Sequence, residues 1–110
     1  MTYSIRPTEK FKKEAKRLIK KYPSLKEELL ALNSELCLHP TSGTQLGNNT
    51  YKIRIAIKSK GKGKSGGGRV ISYLITEEKV IYLLTIYDKS EIDSLDDKIL
   101  NKIIAEIVGC

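Results

Sequence analysis

The side chains in this sequence that could act on a substrate are mostly cationic, and they fall close together. Lys52, Arg54 and Lys58 share one parity, Lys60, Lys62 and Lys64 continue it through a glycine-rich stretch, Arg69 follows, and Lys89 comes later. Residues 51–69 hold seven Lys or Arg and no acid. Cations converging in this way can bind phosphates and can stabilise the extra negative charge of a phosphoryl-transfer transition state. A solvated lysine-rich hairpin would show the same spacing, so spacing alone leaves both readings open. A lysine serves as a base only where neighbouring positive charges depress its pKa, and this series supplies such neighbours.

Other chemistries lack their residues. His39 is the only histidine and precedes Pro40, so one chain cannot form a histidine pair for acid–base RNA cleavage. No HxxxH or CxxC spacing occurs, and no metal site is expected. Cys37 lies in an apolar run and reads as a buried thiol, Cys110 as a terminal one. The run KGKGKSGGG lacks the GxxxxGK[ST] spacing of a phosphate-binding loop and does not lie between a strand and a helix. Glu77 and Glu78 fall in a tight turn and read as solvated acids. Neither a cofactor nor a small-molecule substrate is implied.

The elements that must position the cations follow from periodicity. Tyr51, Ile53, Ile55 and Ile57 alternate with Lys52, Arg54, Ala56 and Lys58, a half-buried strand with a basic outer face. Lys58–Gly68 has five glycines and no hydrophobic residue, and is expected to be a mobile loop. Arg69–Thr76 and Val80–Tyr87 are apolar strands joined as a hairpin through Glu77, Glu78 and Lys79. The second is nearly continuous in apolar residues and suits a central strand covered on both faces.

Upstream, Met1–Arg6 reads as a short strand ended by Pro7. Thr8 caps a helix with Glu9 in its first turn and Phe11, Ala15, Leu18, Ile19 and Tyr22 on one stripe. Pro23 stops it. Ser24 with Glu27 matches a capping box, opening a second helix with Leu25, Leu29, Leu32 and Leu36 inward, and the short link predicts a helical hairpin. His39–Thr50 reads as a loop. Ser94 caps a last helix with Asp96 and Asp97 in its first turn and Leu95, Ile99, Ile103 and Ile107 along one side. The order β-α-α-β-β-β-α is an α+β domain. A two-helix hairpin and a C-terminal helix pack on a small, mainly antiparallel sheet, leaving one face open.

At 110 residues the chain is one domain, residues 1–110, and its 40% hydrophobic content suffices for a core. Phe11 is the only Phe and Trp is absent, so the core is aliphatic, helped by six tyrosines. The net charge of +7 points to a polyanionic partner or to a merely basic surface. Its distribution is blocky: residues 1–26 are net +7, 27–50 net −3, 51–69 net +7 and 70–110 net −4. No segment approaches the apolar length of a membrane span and the N-terminus lacks a signal peptide's apolar core, so a cytoplasmic setting is expected.

YKIRIAI at Tyr51–Ile57, the loop GKGKSGGGRVISY and the ending LLTIYDKSEIDSL together resemble the RelE/HigB toxins of the RelE/ParE superfamily, closest to the HigB-type branch. The resemblance covers about residues 40–105 by motif and the whole chain by element order. It implies a RelE-like fold and a type II toxin–antitoxin toxin. The implied activity is metal-independent endoribonuclease cleavage of mRNA on the ribosome, in the 30S A site. It also implies a cognate antitoxin partner. Carried over by position, Arg69 binds the scissile phosphate, Lys52 and Arg54 match a basic pair on the preceding strand, and Lys89 matches the basic position after the last strand. Lys58, Lys60, Lys62 and Lys64 are expected to bind RNA. Leu95 stands where one branch has a tyrosine, which leaves Tyr87 or Tyr73 as substitutes. Two rival readings are a ParE-like toxin that inhibits gyrase by binding, and an inactive nucleic-acid-binding homologue.

Overall fold

A computed structural model describes residues 3–47, 49–61, 67–91 and 97–108. The chain runs β1 (Ser4–Pro7), α1 (Glu9–Lys21), α2 (Leu25–Leu38), β2 (Thr44–Gly47), β3 (Thr50–Ile55), β4 (Gly68–Ile75), β5 (Val80–Asp88) and α3 (Asp97–Val108). The strands form one sheet in the order β1-β5-β4-β3-β2. Its pairs are antiparallel except β1 with β5, which is parallel. The architecture is α+β, as the order of elements predicts.

Two apolar layers hold it together. On one face Phe11, Ala15 and Leu18 of α1 and Leu25, Leu32 and Leu36 of α2 pack on Ile53, Val70, Leu74, Ile81 and Ile86. On the other face Leu100 and Ile103 of α3 pack on Ile71, Leu84 and Tyr87, beside Tyr73 and Tyr82. The expectation that one face stays open is therefore corrected. β5 carries apolar side chains on both parities, so both of its faces need cover, and the apolar stripe of α3 provides the second.

Local chemistry sets the joints. Thr8 caps α1 as expected: its Oγ1 accepts from the Phe11 N–H at 3.1 Å. The same hydroxyl donates to the Leu84 carbonyl at 3.0 Å, and the Thr8 N–H donates to Leu83 at 3.0 Å. Leu84 is the extra residue of a bulge, because Ile71 pairs with Thr85 and Ser72 with Leu83. The helix cap thus pins the one irregularity in the central hairpin.

Three local expectations are corrected. Ser24 forms no capping box; its backbone is already helical (φ −66, ψ −18) and its side chain caps nothing in α2. Instead the Ser59 N–H donates to Ser24 Oγ at 2.9 Å and the Ser24 N–H donates to Ser59 Oγ at 2.9 Å. The stretch 39–50 is not wholly loop, since it contains β2. All four β2 residues are exposed, so no hydrophobic alternation announces the strand. Finally, the glycine-rich stretch is structured at both ends among its described residues. Lys58–Lys60 form a 3₁₀ turn, and Gly67 lies so close to the Ile55 carbonyl that any Cβ there would overlap it. Lys62 and Lys64 lie outside the described residues, as does Ser94.

Candidate nucleic-acid interface

The sheet register converts sequence spacing into a surface. β3 and β4 pair Arg54 with Arg69, and β4 and β5 pair Arg69 with Tyr87. Directly opposed residues share a face, so Arg54, Arg69 and Tyr87 form one row across three strands. Lys52 lies on the same face one step along, paired with Ile71. This is the face on which α3 packs, as Ile71 and Tyr87 both belong to its layer.

Exposure divides the row. Arg54 is exposed and Lys52 half-buried, whereas Arg69 is 4% exposed and Tyr87 2%. Arg69 stands at the open end of the β4–β5 hairpin, opposite Tyr87, but it is buried there rather than open to solvent. One guanidinium nitrogen, Nη1, donates to the Gly68 carbonyl at 3.0 Å. Burial pushes the Tyr87 phenol above its ordinary pKa, and the nearby Arg69 charge offsets only part of that rise. Lys89, half-buried, follows β5, where its N–H donates to Gly67 at 3.1 Å. That bond ties Gly67 to the end of β5 near Arg69.

The loop lysines separate. Lys58 is exposed, and its N–H donates to Glu28 Oε2 at 2.8 Å. Lys60 turns inward: its side chain is 7% exposed and its Nζ lies 2.5 Å from Asp88 Oδ1. Asp88, at 0% exposure, also accepts from the Tyr22 hydroxyl at 2.8 Å, the Ser90 N–H at 2.9 Å and the Ser90 hydroxyl at 2.8 Å. Burial pushes this carboxyl up, yet Lys60, Ser90 and Tyr22 together outweigh it and hold the group well below the usual carboxylate range. Lys60 also sits 5.5 Å from the Tyr22 ring centre, a cation–π contact. Glycine-rich spacing presents Lys60 as a solvent-facing cation, and the tertiary structure makes it a buried ion-pair partner.

This cluster around Asp88 was missed by sequence reasoning. Its one signal is a carboxylate closing an otherwise apolar strand, where an unpaired charge would be expensive. Nearby, Arg17 grips Glu91 with two hydrogen bonds of 3.2 and 3.0 Å, and Lys21 approaches it to 3.7 Å. The bond from Arg17 lowers the Glu91 pKa and ties α1 to the segment after β5. Among the described residues no group of three or more His, Cys, Asp or Glu could hold a metal ion, and no helix is long and apolar enough to cross a membrane.

No family model matches the chain. Among solved structures it is similar to a mutant of E. coli toxin RelE in the free state, at 21% identity and a TM-score of 0.62, covering 84% of this chain and 90% of that one. The intact E. coli RelBE toxin–antitoxin complex matches at 20% identity and a TM-score of 0.60, covering 78% and 95%. The isolated E. coli RelE toxin matches at 17% and 0.52, covering 96% and 98%. At these identities the likeness is one of fold, and the three helices on a five-stranded mixed sheet are RelE-like.

Proposed function

We propose that this chain is a toxin of the RelE/ParE superfamily, from the HigB-type branch, that cleaves mRNA on the ribosome and is held by a cognate antitoxin. The observation that carries the reading is the row Arg54–Arg69–Tyr87, with Lys52 beside it, on a sheet of RelE-like fold. The solved complex of similar fold pairs its toxin with an antitoxin, which supports the partner.

In this reading the RNA 2′-hydroxyl attacks the adjacent phosphate in line. The bond to the 5′-oxygen breaks, leaving a cyclic phosphate and a 5′-hydroxyl. Arg54 and Lys52, the accessible cations of the row, make the first phosphate contacts. Arg69 holds the non-bridging oxygens, where its planar fork suits two of them at once. Because Arg69 is 4% exposed, the phosphate reaches it only after a local rearrangement. Lys52, Arg54 or Lys89 then stabilises charge or assists proton transfer, with no metal in the scheme. The expected setting is the cytoplasm, and no membrane or small molecule takes part.

One observation favours a second reading. A buried Arg69 suits a protein that acts by binding alone, as a ParE-like inhibitor of gyrase would. Purified chain incubated with translating ribosomes, with a gyrase supercoiling assay beside it, decides between them. A-site cleavage ending in cyclic phosphate supports the nuclease. Gyrase inhibition without cleavage supports the binder, and neither effect leaves an inactive nucleic-acid-binding homologue.

A further inference from the structure

Lys89 sits inside a turn that one side chain builds. The Glu91 N–H donates to the Asp88 carbonyl at 2.9 Å, closing residues 88–91 as a turn with Lys89 and Ser90 at its centre. Asp88 Oδ1 accepts from the Ser90 N–H at 2.9 Å and from the Ser90 hydroxyl at 2.8 Å, so a second ring, made through the side chain, also encloses Lys89. On its other side the Lys89 N–H donates to Gly67 at 3.1 Å. Asp88 pairs with Gly68, the residue before Arg69, so the turn stands at the end of the sheet where Arg69 lies.

The carboxylate that builds the turn is fixed from behind the sheet. Asp88 shares parity with Ile86, which packs with α1 and α2, whereas Tyr87 and its partner Arg69 share the α3 face. On the reverse face the Tyr22 hydroxyl donates to Asp88 Oδ2 at 2.8 Å. Lys60 Nζ lies 2.5 Å from Asp88 Oδ1 and 3.3 Å from the Ser90 hydroxyl. The 3₁₀ turn holding Lys60 has its own anchors: Ser24 and Ser59 exchange two bonds of 2.9 Å, and the Lys58 N–H donates to Glu28 at 2.8 Å. Asp88 is 0% exposed and both of its oxygens are taken, so it does not meet RNA itself.

We propose that Asp88 is a positioning residue for the phosphate site: it shapes the turn that sets Lys89 at the Arg69 end of the sheet, with Lys60 as its counter-ion rather than an RNA ligand. A cation on a loose turn would meet the scissile phosphate in few of its conformations. Misplacement by about 1 Å can cost on the order of 10²-fold in rate. This role rests on the nuclease reading, and the wild-type rate in the same assay tells the two failures apart.

The test compares two double variants on translating ribosomes. Lys60→Met/Asp88→Asn and Lys60→Met/Asp88→Leu both remove the buried ion pair without leaving a lone charge. Asparagine keeps an oxygen for the Ser90 N–H, and leucine does not. At a temperature where melts show both folded, the leucine form should have a kcat about tenfold or more below that of the asparagine form, with KM alike within about twofold. Hydrogen exchange at the Ser90 amide should quicken in the leucine form alone. Lys60→Met/Asp88→Ala takes the place of the leucine form if that one does not fold. Equal kcat in the two forms overturns the proposal, whether both stay active or both fall, because the turn is then not what the reaction uses. A loss confined to KM overturns it as well, since it would put Lys60 or Asp88 in RNA binding. A wild type that cuts no mRNA overturns the nuclease reading and this role with it.

Discussion

Arg69 is where the functional reading is most exposed to refutation, because its burial links activity to stability. Arg69→Ala is expected to abolish growth arrest and to cost about 10²–10³-fold in cleavage rate. The same change empties a buried site beside Tyr87, so it should also lower the melting temperature. Arg69→Lys separates the two effects, since it keeps the charge and most of the volume but loses the planar fork. A folded Arg69→Lys protein with full toxicity, judged by melting and growth curves at equal expression, would remove Arg69 from the phosphate site. Ser72 offers a cleaner test of packing. Its hydroxyl is buried and has no hydrogen-bond partner among the described residues. Ser72→Ala should therefore be neutral or stabilising by about 1 kcal/mol in a denaturant titration, because an unpaired buried polar group costs desolvation with no return.

At the scale of elements, the Asp88 cluster joins three pieces of chain: Tyr22 at the end of α1, the turn holding Lys60, and the end of β5. Asp88→Asn leaves the Lys60 ammonium largely buried without its anion, a loss of about 3–5 kcal/mol. Replacing both partners, Lys60→Met with Asp88→Leu, should recover much of it. The pH dependence has a definite sign. The folded pKa of Asp88 lies below its unfolded value, so in acid the unfolded chain takes up the proton first. The stabilisation is complete above about pH 4, near the unfolded carboxylate value, and is lost as pH falls toward the folded pKa. Melting curves from neutral pH downward should show the gap between wild type and Asp88→Asn narrowing in acid. A gap that holds constant would mean that the carboxylate charge is not what the cluster uses.

Across the whole molecule, charge is divided by location as well as by sequence block. The two basic blocks supply a field that would speed encounter with RNA, and Arg17 spends part of the first one on Glu91. The lysines of the glycine-rich stretch should accordingly behave differently. Changing Lys62 and Lys64 to Ser is expected to weaken RNA binding and to flatten its salt dependence by roughly 0.7–0.9 per lost phosphate contact. Lys60→Ser should leave the salt slope in place and lower stability instead, because its ammonium faces Asp88. Binding titrations at several salt concentrations, with melts of each variant, check both halves. A fall in salt slope for Lys60→Ser would show that Lys60 reaches RNA.

Periodicity and end signals in the sequence were enough to place the two N-terminal helices, the three long strands, the hairpin and the α+β class. Thr8, Pro23 and the alternation of Tyr51–Ile57 are local devices that act wherever the chain goes. They were also enough to bring Lys52, Arg54 and Arg69 together in expectation, because hairpin register follows from alternation. What needed the folded molecule were the facts set by distant partners. β2 has no buried face and so no pattern. Ser24 found Ser59 rather than Glu27. Arg69 is buried, on a face that carries α3 and that the sequence left open. Lys60 changed from a surface cation to a buried one because the fold brought Asp88 to it. Local order repeats along the chain and can be read there, while burial and ion pairing depend on which segments meet, and that is decided only when the sheet and helices assemble.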